Sequence, residues 1–168
     1  MVNNQIESIQ EDKMKGNDAI IQKLNDLLSD ELTAINQYMV HAEMCENWGY
    51  EKLGEAIQKR AIDEMHHAER LIARILFLEG RPVVSELKGI SIGAEVPAMH
   101  KNDWDAEEGA VKSYNDGIKL SVQLGDNGTR ELLESILKDE EMHIDWLEVQ
   151  LDQINHMGVQ IYLSEQVD

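Results

Sequence analysis

Cysteine, proline and basic residues are scarce in this chain, and each shortage excludes something. One cysteine, Cys45, rules out an internal disulfide framework, and no Cys-x-x-Cys pair exists to hold zinc. Fifteen Lys and Arg face thirty-three Asp and Glu, a net charge of -18. Phosphate backbones need a basic face, so neither nucleic acid nor an anionic membrane is an expected partner. Excess acid draws cations instead. No apolar run approaches the roughly 20 residues of a membrane helix. The start, MVNNQIESIQEDK, lacks the apolar core of a signal peptide. A soluble protein in a reducing compartment, most simply the cytoplasm, is the expectation.

Only two prolines occur, Pro82 and Pro97, and they bracket one segment that also holds Gly89 and Gly93. Proline inside a helix costs about 3 kcal/mol, so this segment marks where helices are not. Elsewhere the periodicity is helical. A first helix begins near Asn17 or Asp18 and carries Ile20, Leu24, Leu27, Leu28, Leu32 and Ile35 at spacings of three and four. Gly49 ends it. A second runs from about Glu51 to Glu79, with Gly80 as its stop. A third runs from near Pro97 to near Gly125, and a fourth from about Thr129 to Met157, closed by Gly158. VQIYLSEQ supplies a short fifth helix.

Short loops make the neighbours in each hairpin antiparallel. Residues 80–96 are different. Extended, they reach about 55 Å, longer than a thirty-residue helix at about 45 Å. They can run the length of the bundle and leave helices two and three parallel. The predicted fold is all-α, a ferritin-like four-helix bundle with one long crossover. Residues 1–13, polar and mixed in charge, read as a mobile tail, and residues 14–168 as one bundle domain.

Sliding the chain by 76 residues lays one half on the other. Glu31, Ala34 and Tyr38 fall on Glu107, Ala110 and Tyr114. Gly49 falls on Gly125. Asp63, Glu64 and His67 fall on Asp139, Glu140 and His143, and Leu71 on Leu147. In each half a Glu precedes a Glu-x-x-His by 33 residues. Counted from the glycine turn at 1.5 Å per residue, Glu31 and Glu64 sit about 27 and 22 Å away, nearly level on facing helices. The three-residue step puts Glu64 and His67 on one helix face, and likewise Glu140 and His143.

Four carboxylates and two imidazoles then converge at mid-bundle. Buried and uncompensated, they would cost many kcal/mol. Two divalent ions balance the four negative charges. An oxygen-rich set with two nitrogens suits iron or manganese better than structural zinc. Tyr38 and Tyr114 are candidate neighbours of these carboxylates. Cys45 and most methionines read as packing residues.

ELTAINQY, AIDEMHHAERLIARILFLEG and DEEMHIDWLE, with HMGVQIYL in the tail, resemble the bacterioferritin family across about residues 14–166. The resemblance implies an iron store with ferroxidase activity, oxidising Fe²⁺ to Fe³⁺ and depositing ferric mineral inside a hollow homo-oligomeric shell of about twenty-four subunits. It implies Glu31 and His67 as terminal ligands of one iron, Glu107 and His143 as those of the other, and Glu64 and Glu140 as bridges. It carries a haem, shared between two subunits and assisting iron release, onto Met65. That residue must leave the metal face because adjacent helical residues point about 100° apart. A small ferredoxin is the electron donor this implies. Where the family often carries an inner-surface His one turn before its Asp, Lys59 stands before Asp63, which puts an inner iron site there in doubt. His66 is expected in solvent, and His41, His100 and His156 have no repeat partners. A discrete di-iron or di-manganese oxidoreductase without storage uses the same six ligands and is the alternative. A haem-bearing electron carrier or plain helical scaffold with a vestigial site comes third.

Overall fold

The computed structural model describes residues 14–167; the segment expected to be a tail, residues 1–13, lies outside them. Five helices follow in order: α1 (Asp18–Asn47), α2 (Glu51–Phe77), α3 (Val96–Gln123), α4 (Asn127–Met157) and α5 (Val159–Ser164). No helix among the described residues is long and apolar enough to cross a membrane.

Local chemistry sets the helix ends. The Asn17 side chain accepts the Ala19 amide at 2.8 Å and caps α1. Gly49 and Gly125 take positive φ, +80° and +72°, at the two hairpin turns. Pro97 sits in the first turn of α3, where its missing N–H costs nothing. The fourth helix starts at Asn127, two residues before the expected Thr129. Asp126 is the reason: it caps Thr129 N at 2.9 Å and is itself held by Arg74 at 2.7 Å. The second helix stops at Phe77 instead of Glu79, and the left-handed residue is Glu79 (φ 59°), not Gly80. Gly80 is needed for space. A Cβ there would lie 2.7 Å from Ile21 Cγ2 and 3.0 Å from Ile75 Cγ2.

Helices α1 and α2 form one hairpin and α3 and α4 the other. The crossover travels beside α1, held by a polar stripe at four-residue spacing. Asn25 accepts the Val83 amide (2.8 Å), and Ser29 donates to the Glu86 carbonyl (3.0 Å). Thr33 accepts from Lys88 N (2.8 Å), Gln37 from Ser91 N (3.0 Å) and His41 Nε2 from Gly93 N (3.0 Å). The crossover thus carries the chain from the start of α1 to its far end before α3 begins, so α3 runs parallel to α2, as the crossover length allows.

Two apolar clusters fill the bundle. One, around Leu24, Leu27, Leu28, Leu71, Ile75 and Ile136, occupies the half nearer the start of α1. The other, around Cys45, Leu53, Ile57 and Met99, occupies the opposite half, where Tyr162 pins α5. Its hydroxyl donates to Gln150 Oε1 at 2.8 Å and lies 3.0 Å from His100 Nε2. Each fully buried Leu or Ile contributes about 1.5–3 kcal/mol. The two clusters can therefore carry a polar layer between them.

Candidate metal centre

That layer holds all six residues singled out by the repeat. Glu31 and Glu107 project from α1 and α3; Glu64 with His67, and Glu140 with His143, project from α2 and α4. The four carboxylates are 1–3% exposed, and His67 is 3% exposed. His67 Nδ1 faces Glu64 Oε2 (2.8 Å), Glu140 Oε1 (3.0 Å) and Glu31 Oε2 (3.7 Å). His143 Nδ1 faces Glu64 Oε1 (3.0 Å), Glu107 Oε1 (3.5 Å) and Glu140 Oε2 (3.8 Å). Ligand atoms therefore gather into two sets, each within 4.8 Å: Glu31, Glu64, His67 and Glu140, then Glu64, Glu107, Glu140 and His143. Glu64 and Glu140 belong to both.

The donors suit cations better than each other. Glu64 Oε1, Glu140 Oε1 and His143 Nδ1 are buried without a hydrogen-bond partner, although they crowd within ion-pair range. Burial, then repulsion from Glu140, raises the Glu31 carboxyl well above its usual range. Burial and Glu64 do the same to Glu107. Burial opposes a charged imidazole, yet Glu107, Glu140 and Glu64 outweigh it and push His143 up to about 12. His67 is raised for the same reason, burial again being outweighed, here by Glu140, Glu31 and Glu64. Against its own burial, His143 and His67 draw Glu140 down to about 2. Protons do here what divalent cations do better.

A second set of contacts orients the first. His67 Nε2 lies 3.2 Å from Asp139 Oδ2, and His143 Nε2 lies 3.8 Å from Asp63 Oδ2. Each aspartate comes from the opposite hairpin and immediately precedes a shared glutamate. At 3.2 Å the Asp139 carboxylate on the far nitrogen of His67 favours the tautomer that leaves Nδ1 free for a metal, whereas Asp63 at 3.8 Å stands beyond hydrogen-bond reach of His143. The two tyrosines also cross over. Tyr38 donates to Glu107 Oε1 at 2.7 Å, and Tyr114 donates to Glu31 Oε1. Burial, with the neighbouring carboxylates, raises both phenols, so both remain donors.

Met65 points away from this layer and is 44% exposed. Lys59 lies on the surface 3.5 Å from Asp63, the place of the doubtful inner site. His66 is in solvent, as expected. The sequence reading did not find the groups beside Glu107. His41, with no repeat partner, is fully buried, with Nδ1 2.8 Å from Asp103 Oδ1. Asp103 also accepts from Gln37 (2.9 Å) and Arg60 (2.8 Å). Their signal in the sequence is the polar stripe at four-residue spacing that ends Gln37, His41, and that of Asp63 and Asp139 is their coincidence in the repeat.

A pocket of about 360 Å³ reaches the centre between α1 and α3. Asp30, Lys88 and Asp105 line it together with Glu31, Glu107 and Glu140. Comparison with known proteins gives the same affiliation as the six ligands. The Ferritin-like domain family matches residues 21–157. The bacterioferritin of Brucella melitensis biotype 1 is 40% identical over 149 residues, 89% of this chain and 92% of that one. A bacterial ferritin of Paramagnetospirillum magnetotacticum is 42% identical over 157 residues, 90% and 93%. The bacterioferritin of Streptomyces coelicolor is 39% identical over 155 residues, 92% and 93%. With a bundle of the expected topology, a ligand layer at its middle and relatives that align over nine-tenths of its length, the chain belongs to the bacterioferritins, within the ferritin-like family.

Proposed function

We propose that the protein stores iron and oxidises it on the way in. One observation carries the reading: two four-donor sets share Glu64 and Glu140. Two Fe²⁺ ions, as substrate, would bind there, Glu31 with His67 holding one and Glu107 with His143 the other. Shared carboxylates keep the ions close enough to give two electrons together to dioxygen or peroxide. An acidic buried layer favours the higher charge of Fe³⁺. Asp139 holds the His67 imidazole, Asp63 faces that of His143, and Tyr38 and Tyr114 hold the terminal carboxylates, so little reorganisation would accompany oxidation.

Hydrolysed Fe³⁺ would collect inside a homo-oligomeric shell. The surface supports assembly. Met39, Val40, Ile62, Leu76 and Phe77 on α1 and α2, and Val84, Leu87, Ile90 and Ile92 on the crossover, are all over a third exposed. The net charge of -18 attracts Fe²⁺ to such a shell. Met65, an exposed thioether one turn after exposed Ile62, is free to ligate a haem with its mate across a two-fold contact. Such a haem would supply electrons for iron release, from a donor such as a small ferredoxin. A cytoplasmic location completes the reading.

Anaerobic Fe²⁺ titration with particle mass measured on the same sample tests it. Two irons per chain in a particle of about twenty-four chain masses is the expected result. Two irons in a small particle would favour the discrete oxidoreductase. Rapid-mix oxidation with Glu64→Ala or His143→Ala should lose the fast phase, and an unchanged rate would remove the site assignment. Met65→Leu should abolish the haem absorbance of purified protein without touching the fast phase.

A further inference from the structure

The ligands obey the internal repeat, but their surroundings do not. Seventy-six residues after Arg60 stands Ile136, and seventy-six before Asp103 stands Leu27. Ile136 and Leu27 are fully buried members of one apolar cluster. Arg60 and Asp103 are equally buried but form an ion pair, Nη2 to Oδ2 at 2.8 Å. At the repeat-equivalent places the Glu31 end therefore has two buried hydrocarbon side chains, while Glu107 has a guanidinium whose Nε lies 3.9 Å from its Oε1. That Nε has no hydrogen-bond partner. The guanidinium lies over the Tyr38 and Trp146 rings, 4.7 and 5.1 Å from their centroids, and these contacts restrict its swing.

The countercharge does not cancel this asymmetry. Asp103 spends its other oxygen on Gln37 and His41. His41 Nε2 accepts the Gly93 amide, so its Nδ1 carries the proton that Asp103 accepts. The pair thus turns its positive end to Glu107. Outside the layer the cations balance. Exposed Lys59 meets Asp63 behind His143, and half-exposed Arg70 stands 4.0 Å from Asp139 behind His67. Those two are screened by solvent, and Arg60 is not.

Resting on the two-ion site proposed above, we infer that Arg60 orders its loading. A divalent ion settles first and more tightly at the Glu31–His67 end, and the Glu107–His143 end, beside the guanidinium, fills second. At Glu107, whether an ion adds to the carboxylate or displaces its one proton, positive charge grows beside the Arg60 Nε, 3.9 Å from Oε1. At an effective dielectric of about 20, one charge at this range shifts a binding constant by about tenfold or more.

Co²⁺ is the probe, since it binds without being oxidised. Anaerobic titration of the assembled protein, followed by absorption and calorimetry, should resolve a tight and a weak equivalent per chain, at least about tenfold apart. In His143→Gln the weak equivalent should vanish and the tight one remain; in His67→Gln the tight one should go. Arg60→Met with Asp103→Asn removes both charges and keeps acceptors for Gln37 and His41, and the gap should close to within about threefold. Asp103→Asn alone leaves the guanidinium uncompensated and should widen it, which gives a reading even if the double variant does not assemble. Two equivalents of equal affinity in the wild type, an unchanged gap in either variant, or loss of the tight equivalent in His143→Gln would overturn the order while leaving the two-ion site standing. Fewer than two Co²⁺ per chain in the wild type would instead sink the site itself, and the order with it.

Discussion

Tyr38 donates its hydroxyl to Glu107, 2.7 Å away, although its own half of the repeat contains Glu31. Tyr114 returns the exchange by donating to Glu31. Each terminal carboxylate is thus set by a phenol from the other hairpin. Tyr38→Phe should leave Glu107 short of a donor and cost about 1–3 kcal/mol in metal-free stability. Thermal unfolding of the metal-free protein checks this. Fe²⁺ oxidation should slow in the same variant, because Glu107 is no longer oriented.

Metal loading should release protons. Metal-free His143 is pushed up to about 12 and His67 is raised likewise, so both imidazoles carry a proton between about pH 6 and 9. An incoming ion must displace it. A raised group favours the proton-bound state at low pH, so affinity should climb as pH rises, by about tenfold per pH unit for each proton displaced. Adding Zn²⁺ to weakly buffered protein with an indicator dye should register at least about two protons per filled pair, the raised Glu31 and Glu107 carboxyls adding to the two imidazoles. A pH-independent affinity would contradict the electrostatics of the layer.

Asp139→Asn should weaken binding at the His67 end by about 10–100-fold, the range for losing a carboxylate behind a metal-binding imidazole. Asp63→Asn should act less, since its contact with His143 is longer, 3.8 against 3.2 Å. Calorimetric titration of both variants with Co²⁺ gives the comparison.

Gly93→Ala should destabilise the bundle by about 1–3 kcal/mol. A Cβ there would meet the Met99 backbone nitrogen at 2.4 Å, and backbone cannot rotate away. The shift would also pull the Gly93 amide from His41 Nε2. Denaturant unfolding measures the loss. Gly89→Ala, where a Cβ meets nothing within 4 Å, serves as the control on the same crossover.

The bundle, its crossover and the convergence of the six acid and imidazole residues are legible because they follow from spacing. Helical periodicity fixes which residues share a face, two prolines mark the one irregular segment, and the 76-residue repeat doubles a weak motif into a strong one. Helix ends were less legible. Gly80 reads as a stop signal, but its use is to let Ile21 and Ile75 approach, and Glu79 makes the turn. Least legible were contacts between residues distant in sequence and unrelated by the repeat. Nothing local to Arg60 announces Asp103, 43 residues on, and His41 looks idle until the crossover brings Gly93 to it. Such pairs exist only once the topology has closed, and that topology comes from hydrophobic pattern rather than from polar residues.

Glu64 and Glu140 each belong to both donor sets, and this has a price in independence. Neither hairpin owns a complete cradle, so loss of either shared carboxylate should cost both cations. The two halves of the repeat differ where they face packing, as Arg60 and Ile136 do, and coincide at the shared carboxylates, where each half would answer for its sibling's cargo.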